Sequence, residues 1–398
     1  MVGASFALAL RATKLRVLLI ESVPPDSAAQ PSFDERTTAL GNGSRQIFES
    51  LGVWQAMSAE SAPIRSIHVS DAGRFGVARL DAREQGVHAF GYVVPNRVIG
   101  RVLWQALRES SNVTLAMPAQ LKERDIARRW RAAGRRRRMA SRNRFAPRSP
   151  WLPTAPDRCC APARASRLPV EDYDQVAIVV NAATERPNNG EAFERFTSSG
   201  PLAVLPVTGG GYAVIWAVRT ARAAELMALD EAAFAAGIAQ CVRLARGPLD
   251  AHRAAQYLPA HAVTRRRDRR RDAWCSSAMP RRRCIRSRAR VSISACAMRR
   301  PLAEMLAKAA PDADFSPMAD ELLAEVRRVA RRGPQRRHAI HRQPRETIRQ
   351  RHARGFGLVR NFGLLLFDLS PAAKRALSRV SWGFAGRMPR LARGLPLE

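Results

Sequence analysis

The sequence predicts an α/β chain that also carries a separate run of antiparallel β-structure. Three observations lead there. Over residues 1–121, short apolar runs of strand character alternate with helices that have one apolar face. Over 171–218, strands follow one another across glycine turns with no helix between them. The 398 residues leave room for more than one core.

Residues 4–10 are small and apolar, as in a buried helix, and Arg11, Thr13 and Lys14 make a polar turn. Residues 17–20 (VLLI) then read as a buried parallel strand closed by Glu21. Helix, turn, strand and acid form the second half of a nucleotide-binding βαβ unit. In such a unit the glycine loop lets the backbone approach a pyrophosphate at the helix N-terminus, and an acid roughly 20 residues further on takes a ribose hydroxyl. Gly3 and Glu21 stand at those places. The same stretch also reads as an ordinary buried helix and strand. The unit's first strand and first two glycines are absent, so the chain is read as truncated at its N-terminus. A signal peptide fits poorly, because the charges at Arg11, Lys14 and Arg16 follow the apolar run.

After a loop rich in Pro, Ser and Asp comes Arg36, which taken alone is a solvated side chain. Residues 44–51 read as a helix stopped by Gly52. Residues 64–80 change to a strand period around the turn Asp71-Ala72-Gly73, a hairpin. A strand at 91–95 leads into a helix starting at Asn96 and Arg97, with Ile99, Val102, Leu103, Ala106 and Leu107 on one face. Residues 113–117 are a further strand. In the second region, strands are expected at 175–181, 193–196, 202–207 and 212–218, and a single helix at 221–244. Helices are also expected at 301–309 and 318–329. An apolar run at 355–370 precedes a basic helix opened by Pro371, which would pack on a core or lie on a membrane surface.

Charge divides the chain differently. The net charge is +33, and 63 of the 67 basic residues are arginine. Residues 122–170 carry 15 basic and 3 acidic groups, 264–300 carry 14 and 2, and 327–354 carry 11 and 1. These blocks account for the whole excess, so the remainder is near neutral. The blocks have no apolar period. Read literally they are basic linkers, and a nucleic-acid-binding protein is the alternative they suggest. Apart from Lys122 they hold no lysine, and they lack the aromatic interleaving and helical face that such a function uses. Of the six cysteines, Cys159, Cys160, Cys275, Cys284 and Cys296 lie in the blocks. None forms C-x-x-C, so neither a metal site nor a disulfide framework is expected. No apolar run reaches the 18 residues a membrane span needs. A cytoplasmic protein is expected, with peripheral membrane contact as an option.

Residues 190–207, GEAFERFTSSGPLAVLPV, carry the most specific signal. They closely resemble substrate-region strands of the ubiquinone-biosynthesis FAD-dependent hydroxylases, in particular their methoxyphenol-hydroxylase branch. VGASFALAL at the start, FDERTTAL at 33–40, LGVW at 51–54, IHVSD at 67–71 and RNFGL at 360–364 agree with it. The resemblance implies a para-hydroxybenzoate-hydroxylase-like fold, an FAD domain interleaved with an antiparallel substrate sheet and followed by C-terminal helices. It assigns 1–63 and 86–121 to an incomplete FAD domain, 64–85 and 171–263 to the substrate domain, and 301–398 to the helical end. It implies FAD, with NAD(P)H as electron donor, and cofactor contacts at Gly3, Glu21, Arg36 and Arg97. The implied substrates are a polyprenyl phenol and O2, with hydroxylation through a flavin C4a-hydroperoxide. It implies no catalytic side-chain set or metal.

Two family motifs are missing: a D-G motif before the second group of strands, and G-D-A/G-N-A-A with H-P-x-x-G-Q-G after it. The first two arginine blocks occupy those slots. Joining the third base of each codon to the first two of the next gives an alternative reading. Over residues 150–162 it permits Val-Ala-Ala-Asp-Gly-Ala-Gly-Ser-Leu-Leu-Arg-Ala. Over 273–299 it permits a run containing Val-Gly-Asn-Ala-Ala-Gln-Thr-Leu-His-Pro-Val-Ala-Gly-Gln-Gly-Phe-Asn. The Trp274–Cys275 junction forces Val and the Met279–Pro280 junction forces Ala. Both windows use the same shifted frame, and each sits in its expected slot. The expectation is therefore a flavin hydroxylase whose blocks 122–170 and 264–300 are translated out of frame, with weak or no FAD binding by the chain as written.

Overall fold

In the computed structural model, the described residues are 1–24, 27, 36–119, 170–184, 187–197, 199–242, 249–263 and 356–381. The arginine-rich blocks and the helices expected at 301–309 and 318–329 lie outside them.

The chain opens on helix α1 (Val2–Ala9) and strand β1 (Val17–Ile20). Strand β2 (Thr37–Gly41), helix α2 (Asn42–Ser50) and the short α3 (Trp54–Ser58) follow. Next come β3 (Ala62–Ile64), β4 (Ser66–Asp71), β5 (Val77–Asp81), β6 (Gly91–Pro95), α4 (Asn96–Arg108) and β7 (Val113–Ala116). β1 and β7 pair in parallel, with Val17 opposite Val113. Asn112 ties the turn beneath them, its amide donating to the carbonyls of Leu10, Thr13 and Leu15 at 2.9, 3.1 and 2.9 Å. α1 has little amphipathic character because it is covered all round: Ala4 to Leu10 are buried. It packs with α2, α3 and α4 through Leu8, Phe48, Met57, Leu103 and Leu107.

β2, β6 and β3 form a small antiparallel sheet in the order β2-β6-β3. Gly91 is required there: a Cβ on it would stand 2.3 Å from the Leu40 carbonyl oxygen.

The second region contributes β8 (Val170–Thr184), β9 (Glu191–Phe196), β10 (Pro201–Pro206), β11 (Tyr212–Arg219) and β12 (Leu249–Val263). With β4 and β5 they build a seven-stranded sheet ordered β12-β8-β11-β10-β9-β4-β5. β4 joins β9 in parallel, and the other neighbours are antiparallel. One face of this sheet (Ile178, Leu202, Val204, Val214, Trp216) is sealed by Leu226, Phe234 and Ile238 from helices α5 (Thr220–Met227) and α6 (Glu231–Val242). The other face meets the small sheet: Leu80 and Ala192 cluster with Ile64, Phe90 and Val93, and Leu205 packs against them.

The single helix expected at 221–244 is two helices. The break has a local cause at Asp230, whose carboxylate accepts the Ala233 N–H at 2.7 Å and so caps α6. Asp230→Ala should destabilise the protein by about 1 kcal/mol, measured by thermal unfolding. β12 follows, a strand outside those expected, since its run LDAHRAAQYLPAHAV offers no clean alternation.

Helices α7 (Phe356–Asp368) and α8 (Pro371–Ser381) end the described chain. α7 lies along β5. Its Asn361 is fully buried; the side-chain oxygen accepts the Gly76 N–H at 2.6 Å, and the amide donates to the Asp71 carboxylate at 3.2 Å. Asp368 accepts the Arg79 N–H and pairs with Lys374, each at 2.8 Å. Burial opposes ionisation of Asp368, but the Arg79 N–H and the Lys374 ammonium outweigh it and hold the carboxyl below its ordinary 3.8. A lowered native pKa gives stability that is present above the unfolded value and lost as pH falls through the native one. The α7–α8 segment should therefore loosen below about pH 3.8, seen as faster amide exchange in α7 than in β10.

Candidate functional site

The four residues with an expected cofactor role lie at two places. Gly3 is in the first turn of α1. Glu21 follows β1, whose parallel partner β7 holds it through the Glu21 N–H to the Ala116 carbonyl at 3.1 Å. Its carboxylate oxygen Oε1 accepts the backbone N–H groups of Ser22 and Val23 at 2.9 and 3.2 Å. These bonds fix the acid at the strand's carboxyl end. Among the described residues no hydrogen bond is made to Oε2, which keeps an acceptor for a ribose hydroxyl.

The backbone brings the segments of Arg36 and Arg97 together at the second place. Arg36 precedes β2, and its carbonyl accepts the Asn96 N–H at 2.8 Å. Asn96 is buried at the start of α4, and the Thr38 hydroxyl donates to its side-chain oxygen at 2.6 Å. The β2–β6 pairing thus carries Arg36 to the N-terminus of the helix that begins with Asn96 and Arg97. Arg97 Nη1 lies 2.7 Å from Glu60 Oε2, and Arg101 binds the other oxygen of that carboxylate. Hydrogen bonds from Arg101 and then Arg97 hold the Glu60 carboxyl below its ordinary 4.5. Sequence reasoning did not find Glu60. No spacing links residue 60 to residue 97; the contact exists because α3 packs on α4.

The open part of the seven-stranded sheet is the face opposite α5 and α6. Val179, Ala203 and Ile215 share a row on it, beside Leu205, and all are half-buried. This is an apolar floor on the side of the small sheet. Among the described residues no group of His, Cys, Asp and Glu could hold a metal ion. No described helix is long and apolar enough to cross a membrane.

No family model matches the chain. Over 237 residues it is 26% identical to ubiquinone hydroxylase UbiL of Rhodospirillum rubrum, covering 59% of this chain and 54% of that protein. Over 242 residues it is 27% identical to 3-demethoxyubiquinol 3-hydroxylase of Escherichia coli, covering 60% and 61%. The chain thus spans a little over half the length of these curated relatives. Among solved structures, p-nitrophenol 4-monooxygenase PnpA from Pseudomonas putida aligns with a TM-score of 0.61 at 13% identity, covering 97% of this chain and 96% of that one. PqsL from Pseudomonas aeruginosa, described as a probable FAD-dependent monooxygenase, aligns at 0.59 and 14%, covering 92% and 96%. At such identities these alignments show the fold, which is the para-hydroxybenzoate-hydroxylase type expected from the sequence.

Proposed function

We propose that the chain belongs to the ubiquinone-biosynthesis flavin hydroxylases and derives from an FAD-dependent monooxygenase acting on a polyprenyl phenol. The electron donor is NAD(P)H and the oxidant O2. The carrying observation is the FERFT/GPLA stretch, which forms the adjacent strands β9 and β10 of the seven-stranded sheet. The same reading assigns 1–63 and 86–121 to the FAD domain, and 64–85 and 171–263 to the substrate domain.

The described residues fit the adenosine half of FAD. Glu21 presents a carboxylate oxygen at a strand end, and Gly3 leaves the first turn of α1 without a side chain. Arg36 and Arg97 would stand near the phosphates, with Glu60 fixing the position of Arg97. Bound FAD would supply O2 activation and transfer of one oxygen atom to an electron-rich ring. The protein would orient the phenol against the apolar floor of Val179, Ala203, Leu205 and Ile215 and exclude water from it.

The other FAD motifs fall in 122–170 and 264–300, read here as out-of-frame sequence. The activity therefore belongs to the frame-restored enzyme. The test uses a gene with both windows restored, loaded with FAD and given NAD(P)H, isotopically labelled O2 and a short-chain polyprenyl phenol. One labelled oxygen in the ring is expected. Nicotinamide oxidation with no labelled phenol would overturn the reading. The nucleic-acid-binding alternative finds no support among the relatives.

A further inference from the structure

We propose that the outer face of α7, with Phe75 beside it, is a docking ridge for an anionic lipid bilayer. The helix has two unlike sides. Its inner side is committed to the fold through Asn361, the partly buried Phe367 and Asp368. Its outer side carries Phe362, Leu365 and Leu366, and Leu369, one residue past its end, continues the row at i+7 from Phe362. These side chains are 56, 39, 67 and 72% exposed. Phe75, from the β4–β5 turn, is 54% exposed and meets Phe362 edge to face at 5.5 Å, so the ridge is continuous across two elements.

Charge argues for the occupant. Scattered exposed apolar residues are ordinary, but a contiguous row on one helix marks an interaction surface. The rim of this row is basic. Arg74, half exposed beside Phe75, pairs with the buried Asp71 at 3.8 Å, and α8 presents Arg375 and Arg379 to solvent. Asp368 is the only acidic residue between 355 and 397, and Lys374 already neutralises it. An apolar ridge with the α8 cations at its edge matches the acyl–headgroup boundary of an anionic membrane. The inference rests on the proposed function and deepens it, since the substrate proposed there carries a polyprenyl chain.

The test is flotation of the full chain with vesicles of equal parts phosphatidylglycerol and phosphatidylcholine. The arginine blocks would attract any anionic surface, so the deciding comparison is made at about 1 M salt, where screening acts beyond about 3 Å. Leu366→Asp with Leu369→Asp, both exposed, should lower the bound-to-free ratio there at least about tenfold. At low salt, Arg375→Glu with Arg379→Glu should weaken binding more than the same charge change at Arg136 and Arg137. Equal binding by the leucine variant and the parent would overturn the proposal. So would a dimer in vesicle-free solution that the leucine variant dissociates, which would make the ridge a contact between copies. The assay contains neither flavin nor phenol, so its failure leaves the hydroxylase reading standing, and a failed hydroxylation assay leaves the ridge standing.

Discussion

Purified as written, the chain should carry no stoichiometric FAD and should bind added FAD too weakly to titrate. The reason is the distribution of the cofactor's contacts. On the proposed reading, Gly3 and Glu21 would address only one helix end and one ribose. In the family the sequence resembles, the remaining flavin contacts are expected from the D-G motif and the G-N-A-A…H-P-x-x-G-Q-G motif, and residues 122–170 and 264–300 do not spell them. Loss of a good hydrogen-bonded contact costs about 1.5–3 kcal/mol when the partner is charged, so losing both motifs removes several decades of affinity. Restoring the shifted frame over both windows should return tight, stoichiometric binding, read from quenching of flavin fluorescence. Stoichiometric FAD in the chain as written would refute the assignment of these blocks.

The second large effect is expected at the buried contact between α7 and the β4–β5 hairpin. Asn361→Leu keeps the volume but strips the Gly76 N–H of its acceptor and the Asp71 carboxylate of one donor. Leaving such groups unsatisfied in a buried site should cost about 2–4 kcal/mol. Gly76→Ala should be as damaging for a steric reason, since its Cβ would fall 2.7 Å from the Asn361 backbone. Both changes should release α7 and α8 to protease while β8, β10 and β11 stay protected in hydrogen exchange. Unchanged protection of α7 in Asn361→Leu would show that Phe367 packing alone holds the helix.

Local chemistry explains which elements the sequence disclosed. β1 at 17–20 and β6 at 91–95 are short apolar runs bounded by polar residues, and the structure gives those same limits. α4 begins at Asn96 because Pro95 ends the strand before it, and its apolar face was readable as a period. The split at Asp230 was legible in principle, as a capping residue inside an apolar helical run. β12 was not legible, because its pairing with β8 is set by a distant strand rather than by its own pattern. The candidate site shows the same division. Arg36 and Arg97 could be singled out from the sequence, but the meeting of their segments through Asn96, and the hold of Glu60 on Arg97, are products of packing.

If an intact flavin hydroxylase underlies the arginine-rich blocks, resequencing the gene across codons 115–305 should show single-base differences near the edges of 122–170 and 264–300, after which the windows read Val-Ala-Ala-Asp-Gly-Ala-Gly-Ser and Gly-Asn-Ala-Ala-Gln-Thr-Leu-His-Pro. If instead the frame as given already spelled neither motif under any single-base shift, the blocks would be genuine sequence and no intact hydroxylase would underlie them.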